Sequence, residues 1–450
     1  MKRKILALML TTAMLATCLV GCGGGGEEAA SEGEAATEEG GSDEKVTLTL
    51  SHLFVEGESF HDIIPPSVEQ FNKDHPEYEI IIEEMPQDAY LTQTNARGTA
   101  DDLAEIVLVN GTMMKAFSDT GVICDLTETV ENIGIESILK DGLIADGTNI
   151  DDGVVYSLPI AAGTYGFILY NEEIFTEVGI DKFPETLPEF TAACDKLVAA
   201  GYTPMGLGLK DLWASDSLLF SAFANNYVGN EWFNNIRKHN GEASYEDPEY
   251  IAALQAFQDL AKAGYFNEDF TSISNDERLG LYLNKKIAMV SAGDWECKNV
   301  CDTDEELGKI TKAAAWPGPA EGAKAENSIV QSAAWGIALG SKITDEQKVA
   351  AEIYLKDYFF TQENGRTMIE KNNEFVSWIV DEYDDSALSV PAVSLQEQVV
   401  NGTGCMNWDA SADPTVKEIH QRGLQDLLMG SVTAEELAAE EQAEYEMISE

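Results

Sequence analysis

Three tryptophans are each considered with an aspartate one to three residues away in the chain. The pairs are Asp294 and Trp295, Trp408 and Asp409, and Trp213 and Asp216. An indole face binds flat apolar surfaces, whereas a carboxylate accepts hydrogen bonds from several hydroxyls. A sugar offers both surfaces, so the pairs suit noncovalent carbohydrate binding. Trp295 is the strongest candidate, because it stands in GDW after the predicted strand IAMV and should project from a strand end, where α/β clefts form.

Other candidates lie at or near further predicted strands. They are His52 and Glu56 after VTLTL, Asn110 after AEIVLV, and Trp335 in an apolar strand. Each candidate has a second interpretation. Tryptophans are usually core residues, and polar residues at strand ends often form turns or cap helices. Trp232, Trp316 and Trp378 are assigned no role.

Covalent chemistry has no recognisable signature in this chain. It contains no G-x-S-x-G elbow, H-E-x-x-H helix or Walker loop. With 80 acidic residues, carboxylate pairs are inevitable and do not indicate glycoside hydrolysis. Cys297 and Cys301 could pair or bind metal, but no second cysteine pair or histidine lies nearby to complete a zinc site. We expect buried free thiols, no metal, no cofactor and no catalytic residue.

The N-terminus predicts a secreted, lipid-anchored protein. A cationic start and an apolar run in residues 1–21 form a secretory signal. Leu19-Val20-Gly21-Cys22 resembles the lipobox of bacterial lipoproteins, which implies acylation of Cys22; the alternative is an ordinary cleavage site with an incidental cysteine. The acidic, Gly-rich linker at 22–45 has nothing to bury and would span about 25–30 Å as a flexible tether.

Composition narrows the partners. The chain has 450 residues and a formal net charge of −52. Such a charge argues against nucleic-acid binding and against polybasic adhesion to anionic lipids. The length favours two domains, because a single core rarely extends so far.

Strand-like and helix-like segments alternate along the body of the chain. Strands are predicted at 46–50, 79–83, 104–109 and 165–171, with a helix near Ser59–His75. Later helices begin at Thr186 with a capping box, at Pro248, at Thr344, at about Thr415 and after Thr433. An Asp-Gly turn precedes VVYSLP. This order predicts an α/β fold with helices covering its sheets.

Five segments in chain order resemble motifs of the family 1 extracellular solute-binding proteins, the sugar-capturing components of ABC importers. They are YGFILYNEEIFTEVGIDKFPETLPEFTAACDKLVAAGYTP (165–204), LYLNKKIAMVSAGDWE (281–296), AAAWPGPAEG (313–322), AAWGIALGSKITDEQKVAAEIYLKDYF (333–359) and DLLMGSVTAEELAAEEQ (426–442). Asn284-Lys285 stands where the family usually has Gly-Lys, so the turn there can differ. The resemblance covers nearly all of residues 46–445.

The resemblance implies a two-lobe periplasmic-binding-protein-like fold with a ligand cleft between the lobes and several hinge crossings. Lobe one would comprise 45–159 and 317–372, and lobe two 160–316 and 373–450. Pro159, Pro317 and Pro319 would restrict the crossings. Tyr165 would lie at a crossing, as a hinge or as a ligand contact. In the family the tryptophan equivalent to Trp295 commonly stacks on sugar.

The expected function is that of a monomeric, lipid-anchored binding protein on the extracellular side of a bacterial membrane. It would capture a mono- or oligosaccharide by lobe closure and deliver it to the permease subunits of an ABC importer. One alternative is a binding protein for an amine or a metal ion, or a sensor subunit. A less favoured alternative is a surface glycoside-active enzyme.

Overall fold

The computed structural model describes residues 45–140, 149–151, 153–333, 335–409 and 412–449. The predicted signal, Cys22 and the linker up to residue 44 lie outside the described residues. The strands are β1 (Val46–His52), β2 (Tyr78–Glu84), β3 (Ile106–Val109), β4 (Ile150–Asp151), β5 (Val154–Val155), β6 (Leu158–Pro159), β7 (Thr164–Asn171), β8 (Thr203–Gly206), β9 (Ile287–Gly293), β10 (Thr311–Ala314), β11 (Ser328–Gln331), β12 (Gly336–Leu339) and β13 (Thr403–Cys405).

Most of these strands form two mixed sheets. The first has the order β2-β1-β3-β12-β6, with β1 parallel to both β2 and β3 and β12 antiparallel to β3 and β6. The second has the order β13-β11-β7-β9-β8, and β10 pairs with β7 beside β11. In the second sheet β7 runs antiparallel to β9, so the start of β7 and the end of β9 lie at the same end of the sheet. β4 and β5, on either side of the predicted Asp-Gly turn, pair in antiparallel orientation.

Helices connect and cover the sheets. They are α1 (Ile64–Asp74), α2 (Gln87–Thr99), α3 (Gly111–Thr120), α4 (Thr127–Ile133), α5 (Glu172–Glu177), α6 (Leu187–Ala199), α7 (Trp213–Ser215), α8 (Ser221–Arg237), α9 (Pro248–Lys262), α10 (Asn275–Leu283), α11 (Trp295–Thr303), α12 (Glu305–Ile310), α13 (Asp345–Tyr354), α14 (Gln362–Arg366), α15 (Val390–Asn401), α16 (Pro414–Leu428) and α17 (Ala434–Ser449). A π-helical turn, Asp216–Phe220, joins α7 to α8.

Local sequence signals account for several helix starts. Thr186 and Glu189 form the predicted capping box at α6, and Thr433 and Glu436 exchange the same two hydrogen bonds at α17. α9 begins at the predicted proline, and the left-handed Gly264 follows its end. These predictions are confirmed.

Each sheet has its own apolar core. Leu48 and Leu50 of β1 are buried in the first. β7 is buried on both faces, because Phe167 and Leu169 enter one core while Ile168 enters the opposite one. We therefore define the first lobe as residues 45–161 and 335–380, and the second lobe as 162–333 and 381–449.

This division differs from the predicted one at three places, the smallest of which is the transfer of residues 160–161 to the first lobe, because Ile160 is buried in its core. Residues 317–331, predicted in lobe one, include β11, which pairs with β7 of the second sheet. Trp378, predicted in lobe two, is buried in the core of the first sheet. Pro317 and Pro319 also lie away from the crossings, because Gly318 between them bridges to Thr186 within the second lobe.

Candidate functional site

Two aromatic side chains lie close together at the end of the second sheet where β7 begins and β9 ends. Tyr165 is the cross-strand partner of Gly293, the last residue of β9, and Trp295 follows two residues later. The rings of Tyr165 and Trp295 have centroids 6.1 Å apart and an interplanar angle of 44°. Trp295 is half-buried, whereas Tyr165 is buried. The sequence-predicted strand-end position of Trp295 is therefore the position found.

Asp294 connects the start of β7 to the end of β9 by hydrogen bonds. Its backbone N–H donates to Thr164 O at 2.9 Å, and its carboxylate accepts from the N–H groups of Thr164 (3.0 Å) and Trp295 (3.1 Å). The side chain is 4% exposed. Burial raises the pKa of Asp294 to about 7, although the backbone hydrogen bonds act in the opposite direction. Asp294 thus caps α11 and fixes the start of the helix that carries Trp295.

Polar groups continue from this aromatic pair towards the first lobe. The Tyr165 hydroxyl is buried beside Ser332 and Asn407 but makes no hydrogen bond of good geometry. Ser217 Oγ donates to Asp409 Oδ2 at 2.6 Å, and Lys417 Nζ lies 3.3 Å from Asp409 Oδ1.

The two lobes touch at Asp409. Thr112 of α3, in the first lobe, donates to the Asp409 carbonyl at 3.3 Å. Thr112 Oγ1 also accepts from Lys417 Nζ at 3.4 Å. Burial raises the pKa of Asp409, while Lys417 acts in the opposite direction. Asp409 therefore links the polar groups of both lobes.

Trp408 and Asp216 lie deeper, within the core of the second lobe. Trp408 is 4% exposed and packs on His420, with ring centroids 4.1 Å apart. Asp216 is fully buried, accepts from Ser221 Oγ at 2.8 Å, and lies 3.6 Å from His420 Nε2. Ser221 Oγ in turn accepts from the backbone N–H of Trp408 at 3.2 Å. Trp408 and Asp216 therefore pack below the loop that contains Asp409. This packing role is the second interpretation that the sequence left open.

The first-lobe candidates are spread over separate loops. Asn110 caps α3 by accepting from Met113 N–H at 2.9 Å, next to Thr112. Glu56 is exposed on the loop after β1. His52 ends β1 fully buried, and neither ring nitrogen makes a hydrogen bond of good geometry. Burial, with a smaller contribution from His61, lowers the pKa of His52 to about 4, so the imidazole is neutral.

The other two tryptophans are half-buried and belong to different lobes. Trp335 lies on the crossing into β12, and its ring contacts Tyr90 at 6.0 Å between centroids. Trp213 starts α7 and packs on the core of the second lobe. The structure brings Tyr165, Trp295 and Asp409 into one connected region, and it leaves Glu56 and His52 outside the contacts that join them.

Comparison with known proteins identifies the family. A family model described as bacterial extracellular solute-binding protein matches residues 57–356. The chain belongs to this family. An uncharacterised ABC transporter extracellular-binding protein of Pyrococcus horikoshii is 30% identical over 141 residues, which is 31% of each chain, so the match spans about a third of that relative. A putative binding protein of Brucella abortus is 22% identical over 326 residues, covering 71% of this chain and 75% of the relative.

Solved structures share the fold of this solute-binding protein. A chitin oligosaccharide binding protein superposes with a TM-score of 0.81 and 22% identity, covering 90% of this chain and 99% of the other. A structure described with xylan utilization by Caldanaerobius polysaccharolyticus gives 0.78 and 22%, covering 89% and 100%. The predicted two-lobe α/β fold is thus confirmed.

Several residues of the region were not predicted from the sequence of this family member. They are Thr112, Ser217, Ser332, Asn407 and Lys417. Each is a common polar residue in a loop or helix end, and no local motif distinguishes it from the other polar residues of the chain. Asn407, next to Trp408, and Ser217, next to Asp216, lay beside predicted positions.

The described residues contain neither a metal-binding cluster nor a membrane-spanning helix. Within the described ranges, no group of three or more His, Cys, Asp or Glu side chains is arranged to hold a metal ion. In the same part of the chain, no helix combines the length and apolarity needed to cross a bilayer. The five cysteines found there, at 124, 194, 297, 301 and 405, are free.

Proposed function

We propose that this solute-binding protein captures a mono- or oligosaccharide between its lobes. The observation that carries the proposal is the half-buried indole of Trp295 beside Tyr165, next to the buried polar groups around Asp409. An aromatic face for sugar C–H groups and nearby carboxylates and amides for hydroxyls are the two elements that carbohydrate recognition needs.

The relatives support a carbohydrate. Structures named for chitin oligosaccharide, for xylan utilization and for raffinose binding share the fold, the last with a TM-score of 0.69 and 17% identity, covering 90% of this chain and all of the other. An sn-glycerol-3-phosphate-binding periplasmic protein of Brucella abortus is 28% identical over 210 residues, 45% of this chain and 44% of that one. That relative is named for a phosphorylated ligand and not for a sugar, so glycerol 3-phosphate is included in the screen below.

Closure of the lobes supplies the mechanism. Thr112 of the first lobe contacts Asp409 and Lys417 of the second, which ties the two lobes together at the polar end of the region. A sugar that contacts Trp295 on one lobe and α3 on the other would stabilise the closed form, because its contacts with both lobes exist only there. We expect no covalent chemistry.

The site of action is the outer face of a bacterial membrane, with the permease subunits of an ABC importer as partners. Acylated Cys22 would anchor the protein, and the acidic linker would give the body reach. The support is the lipobox-like sequence, the signal before it and the family assignment.

Ligand screening tests the proposal. The mature protein is screened by thermal shift against chitin, xylan and raffinose oligosaccharides, with glycerol 3-phosphate, a diamine and divalent metals alongside, and hits are measured by calorimetry. Trp295→Ala should weaken sugar binding about 10-fold or more, because a stacked ring contributes about 0.5–1.5 kcal/mol beyond its buried area. Stabilisation by the diamine or a metal and by no sugar would overturn the proposal, and release of product from a chromogenic glycoside would favour an enzyme.

Tyr202→Ala is the matched control for this experiment. Tyr202 is also a partly buried aromatic residue of the second lobe. It precedes β8, next to the start of β9, and so lies at the end of the sheet opposite to Trp295. Its loss should leave the sugar affinity unchanged. An equal loss in both variants would mean that Trp295 acts through stability and not through contact.

A further inference from the structure

The indole of Trp295 lies directly on the backbone of Gly293. A Cβ atom built on Gly293 would stand 2.2 Å from Cη2, 2.3 Å from Cζ3 and 2.4 Å from Cζ2 of the Trp295 ring. Non-bonded carbon atoms normally approach to about 3.5–4.0 Å, so no side chain fits at position 293 while the indole keeps this orientation. The close approach of a ring to a strand is one of the uses of a strand glycine.

The backbone around Gly293 has little freedom to relieve such a clash. Gly293 pairs with Tyr165 across the sheet, and its N–H lies 3.3 Å from the buried carboxylate of Glu296. The next residue, Asp294, is bonded to Thr164 through both its backbone and its side chain. The contacting atoms of Trp295, in contrast, lie at the far end of the ring. A Cβ at position 293 would therefore move the ring and leave the strand in place.

Tyr165 is aimed at the same point by a second glycine. The pairing of β7 with β9 shifts register between Tyr165 and Phe167, and Gly166 between them has φ 67°. Such a bulge turns the neighbouring side chain out of the regular alternation. Both rings of the aromatic pair thus depend on a residue without a side chain, and the Trp295 ring covers one of these residues, Gly293.

We propose that Gly293 is a positioning residue for ligand binding. Because it lacks a side chain, the indole of Trp295 lies flat against the end of β9 with one face on the backbone, and the opposite face of this half-buried ring is the one offered to a ligand. Gly293 would thereby determine the affinity for ligands with a flat apolar face. This inference rests on the proposed carbohydrate-binding function.

The test compares Gly293→Ala with Gly280→Ala. Gly280 lies in α10 of the same lobe, and a Cβ there meets no atom within 4 Å. Calorimetry with the best oligosaccharide of the screen should show about 10-fold weaker binding for Gly293→Ala, the loss expected when stacking is removed, and unchanged binding for Gly280→Ala. Wild-type affinity in Gly293→Ala would overturn the proposal.

A double variant distinguishes positioning from a general effect on the fold. If Gly293 acts only through the indole, then Gly293→Ala combined with Trp295→Ala should bind no more weakly than Trp295→Ala alone. Loss by the same factor in both backgrounds would overturn the proposal, because the effect of residue 293 would then not pass through Trp295.

A measurement without ligand separates this inference from the proposed function. Mass spectrometry after treatment with N-bromosuccinimide measures the oxidation rate of each tryptophan. In Gly293→Ala this rate should change severalfold at Trp295 and stay constant at the buried Trp316 and Trp378. An unchanged rate at Trp295 would overturn the positioning role. If this rate changes while the wild type binds no sugar of the screen, the carbohydrate proposal fails and the positioning role stands.

Discussion

The pH dependence of stability should be controlled by a buried histidine of the second lobe. His420 is 1% exposed, and its Nδ1 lies 2.6 Å from the carboxylate of Glu441 on α17. The other ring nitrogen lies 3.6 Å from Asp216. Tyr250 donates to the second oxygen of Glu441 at 2.8 Å. Burial alone would lower the pKa of His420, but Glu441 and Asp216 outweigh it and raise the pKa from 6.5 to about 9.

The magnitude follows from linkage between protonation and folding. A raised pKa means that the charged imidazole stabilises the folded state fully below the unfolded pKa of 6.5, and that this contribution is lost as the pH rises through about 9. The shift corresponds to about 3 kcal/mol at pH 6 and to less than about 1 kcal/mol at pH 9. Glu441→Gln removes the main opposing charge, so His420 should stay neutral in the variant over this range.

Urea denaturation at several pH values between 6 and 9 measures the effect. At pH 6 the free energy of unfolding of the wild type should exceed that of Glu441→Gln by about 3 kcal/mol. The difference between the two proteins should become smaller as the pH approaches 9. Glu440→Gln, an exposed neighbour on the same helix, should follow the wild type. Histidine-selective NMR should show one of the five histidines titrating near pH 9 in the wild type only. The reasoning would be refuted if the free energies of unfolding of the two proteins differed by the same amount at every pH. It would also be refuted if no histidine titrated above about pH 8.

Three further perturbations have defined outcomes. Arg278→Met should destabilise the protein by about 3–5 kcal/mol in urea denaturation, because it leaves the carboxylate of Glu296 buried without its cation. Glu374→Gln should raise the melting temperature at pH 8 and not at pH 5: burial, and then the charge of Asp294, raise the pKa of Glu374 to about 8, so its ionisation between these pH values destabilises the folded state. Cys22→Ser should move the protein from the membrane fraction to the medium and abolish labelling by a fatty-acid analogue.

Each has a control and a contradicting result. A small loss of stability in Arg278→Met, near that of an exposed lysine variant such as Lys182→Met, would show that the buried pair contributes little. For Glu374→Gln, the exposed Glu346→Gln is the control, and an equal gain at both pH values would contradict the titration argument. Retention of the Cys22→Ser protein on the membrane would contradict anchoring through that residue.

Much of the fold could be predicted because its signals are local. Capping at Thr186 and Thr433 depends on residues three positions apart, and the apolar run of β7 needs no distant partner to favour a strand. The predicted position of Trp295 is correct for the same reason, since a strand followed directly by a helix leaves the connecting residues at one sheet edge.

The lobe boundaries and the environment of each candidate depended on tertiary structure. Nothing local distinguishes Trp408, which packs on His420, from Trp295, which is half-exposed, because Tyr245 and Ser221, which contact Trp408, come from distant parts of the chain. The pairing of β11 with β7 likewise joins residues that are more than 150 positions apart.

Local sequence patterns are sufficient to predict several strands and helices, the family resemblance and the aromatic residue at the end of β9. Which polar groups join this residue depends on tertiary packing, because Asp409, Thr112 and Lys417 converge through the packing of both lobes. Tertiary packing also decides why Trp295 takes its orientation: the position of a ring over a glycine depends on the space left by neighbouring strands, which no spacing in the chain records.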